Sequence, residues 1–426
     1  MSVRNEGVPE GRPCDPWILL TTSIFLAALV VVAAIGPATS QAAFPGQDGR
    51  IFFVSDRDGN AEIYSMNSDG TDQRRLTSTS TDENQPSVSP NGRWVAFQSS
   101  AEGPSNQRIE IMRSNGTSLE VLARGSGVQS LEPSFHPSGE GILFVRVNPD
   151  GSREIIFLNL RDRGTFPVTQ SGVTPQVAPS HPELLPNASR VIYQDLNGPI
   201  GVGTDQIFSI PPGDPFSQQL ISSGSSPGTV PSVSPDSGSV IYTTFGGGTS
   251  KLLKTDLSSL TTQVVYSEAN PFAVDMGVYS PSGTKVAYQK FSDGETSPFQ
   301  IHVKSADDTA GGPVLTGPGS NNASPNWAPR TLTARFRTTT KPPARTAKRT
   351  AKFRFRAVTP GTRLTCQLDR KPVRQCPVGR TVTFKGLKRG KHRLRVTPYL
   401  VDQTARALGQ ASRVDGRVVK YRWKVR

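Results

Sequence analysis

The feature that most constrains this chain is a pattern that returns every 46 to 49 residues. Its clearest copy is Pro86-Ser-Val-Ser-Pro-Asn-Gly-Arg-Trp-Val-Ala-Phe97. With Pro90 as anchor, equivalent prolines stand at Pro137, Pro186, Pro235, Pro281 and Pro329, at spacings of 47, 49, 49, 46 and 48. Five residues past the first five anchors comes a β-branched residue: Val95, Ile142, Val191, Val240 and Val286. Seven residues past comes an aromatic: Phe97, Phe144, Tyr193, Tyr242 and Tyr288. An earlier copy, residues 44–53, puts Ile51 and Phe53 in the same two slots. A fixed register at a period in the forties marks a repeat architecture. The alternation sets both side chains on one face of a strand and makes these twelve residues the expected core.

Each copy carries three or four short apolar segments parted by turn residues. In the first, Ile51-Phe-Phe-Val54 and Ala61-Glu-Ile-Tyr-Ser-Met66 flank Ser55-Asp-Arg-Asp-Gly-Asn60, and Asn67-Ser-Asp-Gly70 precedes a short Arg75-Leu-Thr77. Asp-Gly and Asn-Gly between such runs are hairpin signals, because both residues tolerate positive φ. Four antiparallel strands per unit at this period predict a β-propeller. One such sheet cannot bury its own faces, so the units must stack. The first copy lacks a partner for Pro86-Ser-Val88, and the last anchor has a surplus one, Pro325-Asn-Trp-Ala-Pro329. Pro325 and Trp327 are therefore expected to complete the first sheet and shut a ring of six blades over residues 43–329.

The runs Ser-Pro-Asn-Gly-Arg-Trp-Val-Ala-Phe97 and Ser55-Asp-Arg-Asp-Gly-Asn-Ala-Glu-Ile-Tyr-Ser-Met-Asn-Ser-Asp-Gly-Thr-Asp-Gln-Arg-Arg-Leu-Thr77 resemble the WD40-like (PD40) repeat of TolB-type six-bladed propellers. The match is close in the first two copies and departs most in the fourth, where residues 194–204 form an extended loop. The resemblance implies an exported protein of the periplasm or cell envelope that binds protein. The domain that precedes the propeller in TolB is not found between the apolar N-terminal run and the first repeat, so the Tol role is not expected to carry over.

Trp17 to Ile35 runs without a charge, Gly36-Pro37 ends it, and Ser40-Gln-Ala42 offers small residues for a cut after Ala42. Residues 1–42 therefore read as a secretory signal peptide. The same run is long enough to serve as an uncleaved membrane anchor.

The net charge of +14 hides a split. Residues 331–426 hold 27 Lys and Arg against 3 Asp and Glu; the rest of the chain is net acidic. Residues 330–352 read as a basic linker, Pro-containing at Lys341-Pro-Pro343. From 353 on, alternation in Phe353-Arg-Phe-Arg356, Leu364-Thr-Cys-Gln-Leu368, His392-Arg-Leu-Arg-Val396 and Val418-Val-Lys-Tyr-Arg-Trp-Lys-Val425 predicts half-buried strands of a small β-sandwich. Cys366 and Cys376 remain after removal of Cys14 with the signal, and read as one disulfide in an exported protein. The Cys pair and Gly386-Leu-Lys-Arg-Gly-Lys-His392 resemble the immunoglobulin-like (Ig-like) modules of bacterial surface proteins. The fold class expected is thus all-β.

Chemistry-bearing motifs are sparse. Gly224-Ser-Ser-Pro-Gly228 has the letters of a nucleophile elbow, but Pro227 removes the N–H the oxyanion hole needs, and no helix follows. His136, His181, His302 and His392 are scattered, with no spacing that suits zinc; His136 and His181 fall near equivalent turn positions. Asp56-Arg-Asp-Gly-Asn60 is explained by an ordinary turn. No catalytic residue, metal or cofactor is assigned. The basic part has too few aromatics for stacking bases, so no nucleic acid is expected; anionic envelope polymers or lipid head groups are the expected partners. The reading is a monomeric, non-enzymatic exported binding protein. A propeller-type glycan hydrolase or lyase and a structural surface spacer are the alternatives.

Overall fold

The computed structural model describes residues 45–169, 178–196, 205–214, 216–222, 228–269, 273–291 and 298–426. The expected signal peptide, residues 224–227 and residues 197–204 of the expected loop lie outside them; Gln194 and Asp195 of that loop are strand instead, paired with Ile207 and Gln206. Among the described residues no helix is long and apolar enough to cross a membrane.

Up to Pro329 the described chain forms six antiparallel sheets. Five have four strands. The sixth has three: Val274–Tyr279, Lys285–Phe291 and Phe299–Ser305. The apolar segment Val314-Leu-Thr316 does not pair as a fourth strand. Instead Val314 makes one bridge to His302, Leu315 N–H reaches Ile301 O, and the Thr316 hydroxyl accepts Ile301 N–H at 3.0 Å. Pro313 beside Val314 has no N–H for a ladder.

Strand burial explains why the second strand of each sheet reads as an unbroken apolar run. Ile51 to Ser55 and Val191 to Asp195 are buried at every position, because these strands are covered on both faces. The +5 and +7 residues all face the preceding sheet. Val95 and Phe97 pack with Phe52, Val54 and Ile63. Ile142 and Phe144 pack with Trp94, Ala96, Ile109 and Ile111. Val191 and Tyr193 meet Leu143 and Ile155, and Val240 and Tyr242 meet Ile192 and Ile207. Val286 and Tyr288 meet Ile241 and Leu252. Ile51 and Phe53 meet Ala287, Ile301 and Val303 of the sixth sheet, so the apolar layers run round to where they began.

The first sheet takes one strand from the far end of the array. Asn322–Pro329 pairs antiparallel with Asp48–Ser55, setting Trp327 opposite Ile51 and Asn326 opposite Phe52. Pro325 lies in that strand at the channel wall. Gly92 packs against it: at φ +68°, a Cβ there would stand 2.3 Å from Pro329 O, so only glycine fits.

Residues beyond the array form two sheets facing one core. One comprises Phe336–Thr340, Ala351–Ala357 and Thr381–Phe384; the other contains Arg345–Thr346, Val419–Val425, Gly390–Val401, Arg363–Leu368 and Arg374–Cys376, with Arg413–Asp415 at its side. Here burial alternates: Ala351, Phe353 and Phe355 are buried while Lys352, Arg354 and Arg356 are exposed. Phe353 sits amid Phe384, Tyr421 and Trp423 at centroid distances of 5.3–6.0 Å. Cys366 and Cys376 are bonded within this core.

Two features correct the sequence reading. Residues 330–352 are not simply a linker: Phe336–Thr340 pairs with Ala351–Ala357, and Arg345–Thr346 pairs parallel with Val419–Val425. β-Branched threonines favour the strand, but Phe336 is its one large apolar residue, so the alternation is faint. The second feature is a short helix, Gln403–Ala407, that inserts into the propeller. Asp402 caps it by accepting Ala405 N–H, and also accepts Asn91 Nδ2 at 2.9 Å and Trp94 Nε1 at 3.1 Å. Thr404 Oγ1 donates to Gly139 O at 2.7 Å. Ala405 and Ala407 join the core between the second and third sheets.

Trp327→Ala should lower unfolding free energy by about 3–5 kcal/mol, read from urea denaturation followed by fluorescence. Asp402→Ala leaves two donors of the propeller without their acceptor and removes a helix cap; a loss of about 2–4 kcal/mol is expected. Faster proteolysis within residues 330–335 in that variant would show the module coming away.

Candidate functional site

The candidate site is the axial channel. Its wall comes from the innermost strands Glu83–Val88, Gln129–Phe135, Pro179–Leu184, Gly228–Val233, Val274–Tyr279 and Asn322–Pro329. Every one bulges toward the axis. The residue five before each anchor sits at positive φ: Gln85 at 51°, Glu132 at 54°, His181 at 48°, Val230 at 46°, Met276 at 49° and Ser324 at 50°. Five of the six precede proline and the other precedes Gly277. The ladder register shifts beside each. Such a conformation costs of order 1–3 kcal/mol and persists only where its surroundings enforce it.

The enforcement is visible in hydrogen bonds between neighbouring sheets. Gln98 Oε1 accepts the N–H of Glu132 at 3.2 Å, Gln194 Oε1 that of Val230 at 3.1 Å, and Gln289 Oε1 that of Ser324 at 2.9 Å. All three glutamines stand eight residues past their anchors. In the third sheet that position is Val145, and Glu132 itself accepts His181 N–H at 2.7 Å. A second set lies two to three residues before the anchors. Ser87 Oγ accepts Phe135 N–H at 3.1 Å, Glu183 Oε2 accepts Val233 N–H at 2.8 Å, and Asn326 Oδ1 accepts Val88 N–H at 3.1 Å. The bulges free backbone donors, and side chains of the adjacent sheet capture them.

Two carboxylates, Glu132 and Glu183, line this channel. Glu132 takes the Ser180 hydroxyl at 2.9 Å, with Arg153 at 3.7 Å. Ser180 Oγ also lies 2.9 Å from His181 Nδ1. Because Ser180 donates to a carboxylate, and His181 is next to it in sequence, the trio does not form a nucleophile relay. Glu183 is partly open to the channel, but the ring encloses it, and burial pushes its carboxyl up to about 7. Glu83, buried at the start of the first wall strand, accepts the Thr79 hydroxyl at 2.9 Å; burial, and then the neighbouring Glu62, raise its pKa. The channel holds about 110 Å³, well below the ~300–1,000 Å³ of small-molecule sites.

A wider cleft of about 580 Å³ lies between the anchor turns and the sandwich, with Arg93, Arg330 and Arg335 in its wall and Asp402 as its acid.

The histidines separate. His181 is a channel residue, whereas His136 lies in the anchor turn, buried edge-on against Phe157, with burial pulling it down to about 4. They are not equivalent, which corrects the sequence reading. His302 stacks on Tyr288, and His392 stacks on Trp423 while contacting Asp369. Asp56 accepts Asn321 N–H, and Asp58 is engaged by Tyr64 and Arg75. The twelve repeat-core residues lie between sheets, away from this wall. Sequence reasoning named Pro86-Ser-Val88, His181 and Pro325 without assigning them to a channel wall; the proline four residues before the anchor, at Pro86, Pro133, Pro182, Pro231 and Pro325, was the signal for it.

Residues 32–180 match the family model described as the TolB beta propeller domain. The crystal structure of TolB from Acinetobacter baumannii superposes with a TM-score of 0.55 at 18% identity, covering 72% of each chain. This fold is a TolB-like β-propeller. A TolB homolog of Chlorobaculum tepidum is 29% identical over 109 residues, 26% of this chain and 24% of that protein. The Tol-Pal system protein TolB of Desulfosudis oleivorans is 32% identical over 112 residues, again 26% and 24%. The chain thus spans about a third or less of the curated relatives it matches.

The Glu183 carboxyl gives the TolB-like ring a pH dependence. Its folded pKa stands above the unfolded value of about 4.3, so the folded state holds the proton more tightly. Its stability contribution is full below the unfolded value and is lost as pH rises through about 7. Thermal midpoints should therefore fall between pH 5 and pH 8, and Glu183→Gln should make that fall smaller, leaving the part that comes from the raised Glu83 carboxyl.

Proposed function

We propose that this chain is an exported, non-enzymatic binding protein of the cell envelope. Residues 43–329 are read as a six-bladed ring whose face takes a protein or glycan ligand. The region after it, from residue 336, is read as a basic Ig-like module that meets anionic envelope material. Residues 1–42 are read as the signal peptide, and the chain as a monomer without cofactor.

The observation that carries this reading is the occupation of the channel wall. Glu132, Glu183, Ser87 and Asn326 of the wall each accept a backbone N–H of the neighbouring sheet, and the space left between them measures about 110 Å³. Binding is left to the faces and rims of the ring. The TolB-like propeller fold and the Tol-Pal name of the Desulfosudis relative agree with a role in binding at the envelope.

One observation favours a second reading. Glu132 and Glu183 face one channel from adjacent strands, as the two carboxyls of a glycan hydrolase would. Such an enzyme releases new reducing ends from envelope polysaccharide and loses that activity in Glu132→Gln; a binding protein releases none.

Cell fractionation tests the main reading. The chain should sediment with envelope material at low ionic strength and leave it at high salt, since exposed charges are screened over about 10 Å at 0.1 M. Retention at high salt, or a cytoplasmic chain, counts against it.

A further inference from the structure

We propose that the outer face of the larger sandwich sheet is a docking surface for an anionic lipid bilayer. The proposal rests on the reading above, in which an exported basic module meets anionic envelope material, and names the partner of that module. Across the strands Gly390–Val401 and Val419–Val425, Lys391 stands opposite Lys424, Arg393 opposite Arg422, and Arg395 opposite Lys420. All six are exposed, while the alternate residues Leu394, Val396, Trp423 and Val425 are core. Arg345 adds a further cation beside Lys424. The face is therefore a ladder of like charges, rung upon rung.

Like charges directly opposite on paired strands repel, and that destabilises the sheet. The acids of this region give no relief. Residues 331–426 contain only Asp369, Asp402 and Asp415. Asp402 lies buried beneath the inserted helix and holds Asn91 and Trp94. Asp415 pairs with Arg413 at 2.6 Å. Asp369 accepts His392 Nδ1 at 2.9 Å and the backbone N–H of Arg393 at 2.7 Å. Among the described residues none of the six ladder cations forms an ion pair.

The geometry selects the partner. Strands lie about 4.8 Å apart, and same-face residues repeat about every 6.6–6.8 Å along them. This spreads cations over two dimensions on a sheet face. A bilayer carrying anionic head groups offers charge over an area and meets both columns together; a linear polyanion follows one column. Each cation brought to such a surface strengthens partition roughly fivefold.

The test uses residues 43–426, which hold every described residue, and vesicles of mixed phosphatidylcholine and phosphatidylglycerol. Partition should be strong at low salt and absent from pure phosphatidylcholine. Arg393→Gln with Arg422→Gln should weaken it about 25-fold without lowering the thermal midpoint, because a repulsive rung is removed. Lys352→Gln with Arg356→Gln removes equal charge from the other sheet and should cost under about threefold, being screened by distance. No partition of the parent, or equal loss in both pairs, would overturn the proposal. Capture of long-chain polyphosphate without vesicle binding would assign the face to a linear polyanion instead, and equally overturn it. Export of a reporter fused after residues 1–42 is read separately, so the compartment and the docking face can each fail alone.

Discussion

The pairing of Asn322–Pro329 with Asp48–Ser55 is the contact on which the other layers depend. Each sheet up to Pro329 is apolar on both sides and has no use for water on either. An open row of such sheets would leave two large apolar faces bare, one holding Ile51 and Phe53, the other Ala287, Ile301 and Val303. Joining the ends removes both faces together. Asn326 on the closing strand then reaches across to Val88, so the strand that completes the first sheet also holds the second.

Within that frame the axial wall is a compromise between strain and capture. Six residues of different chemistry adopt the same left-handed backbone. No single donor–acceptor pair recurs six times; Gln, Glu, Ser and Asn share the task. This explains what the sequence disclosed. The +5 and +7 core positions were legible because two-sided burial demands large apolar side chains at a constant register. The wall positions were not, because a bulge asks for a backbone shape that Gln85, Val230 and Met276 meet equally well. The inserted helix was hidden for another reason: Gln403–Ala407 is too short to show a period, and its neighbours alternate like strands. The strand Phe336–Thr340 went unread because basic residues and prolines around it outweighed one phenylalanine.

The two parts of the chain carry opposite net charge, yet among the described residues no ion pair joins them. Their contact is built from Asp402, Asn91, Trp94, Thr404 and two alanines in an apolar seat. Arg93, which donates to Leu332 O, and Arg113, which donates to Gln410 Oε1, join the halves as well, by hydrogen bonds and not by ion pairs. The cations of the sandwich consequently remain available outward, in an array whose own repulsion favours an external counter-charge.

The seat of the short helix has a geometric consequence. Asp402 is at once the cap of Gln403–Ala407 and the acceptor for two side chains of the second sheet. Asp402 and the helix therefore act as a keel: whatever plane the sandwich comes to rest on sets the tilt of the ring's axis, and with it which mouth of the ring looks away from that plane.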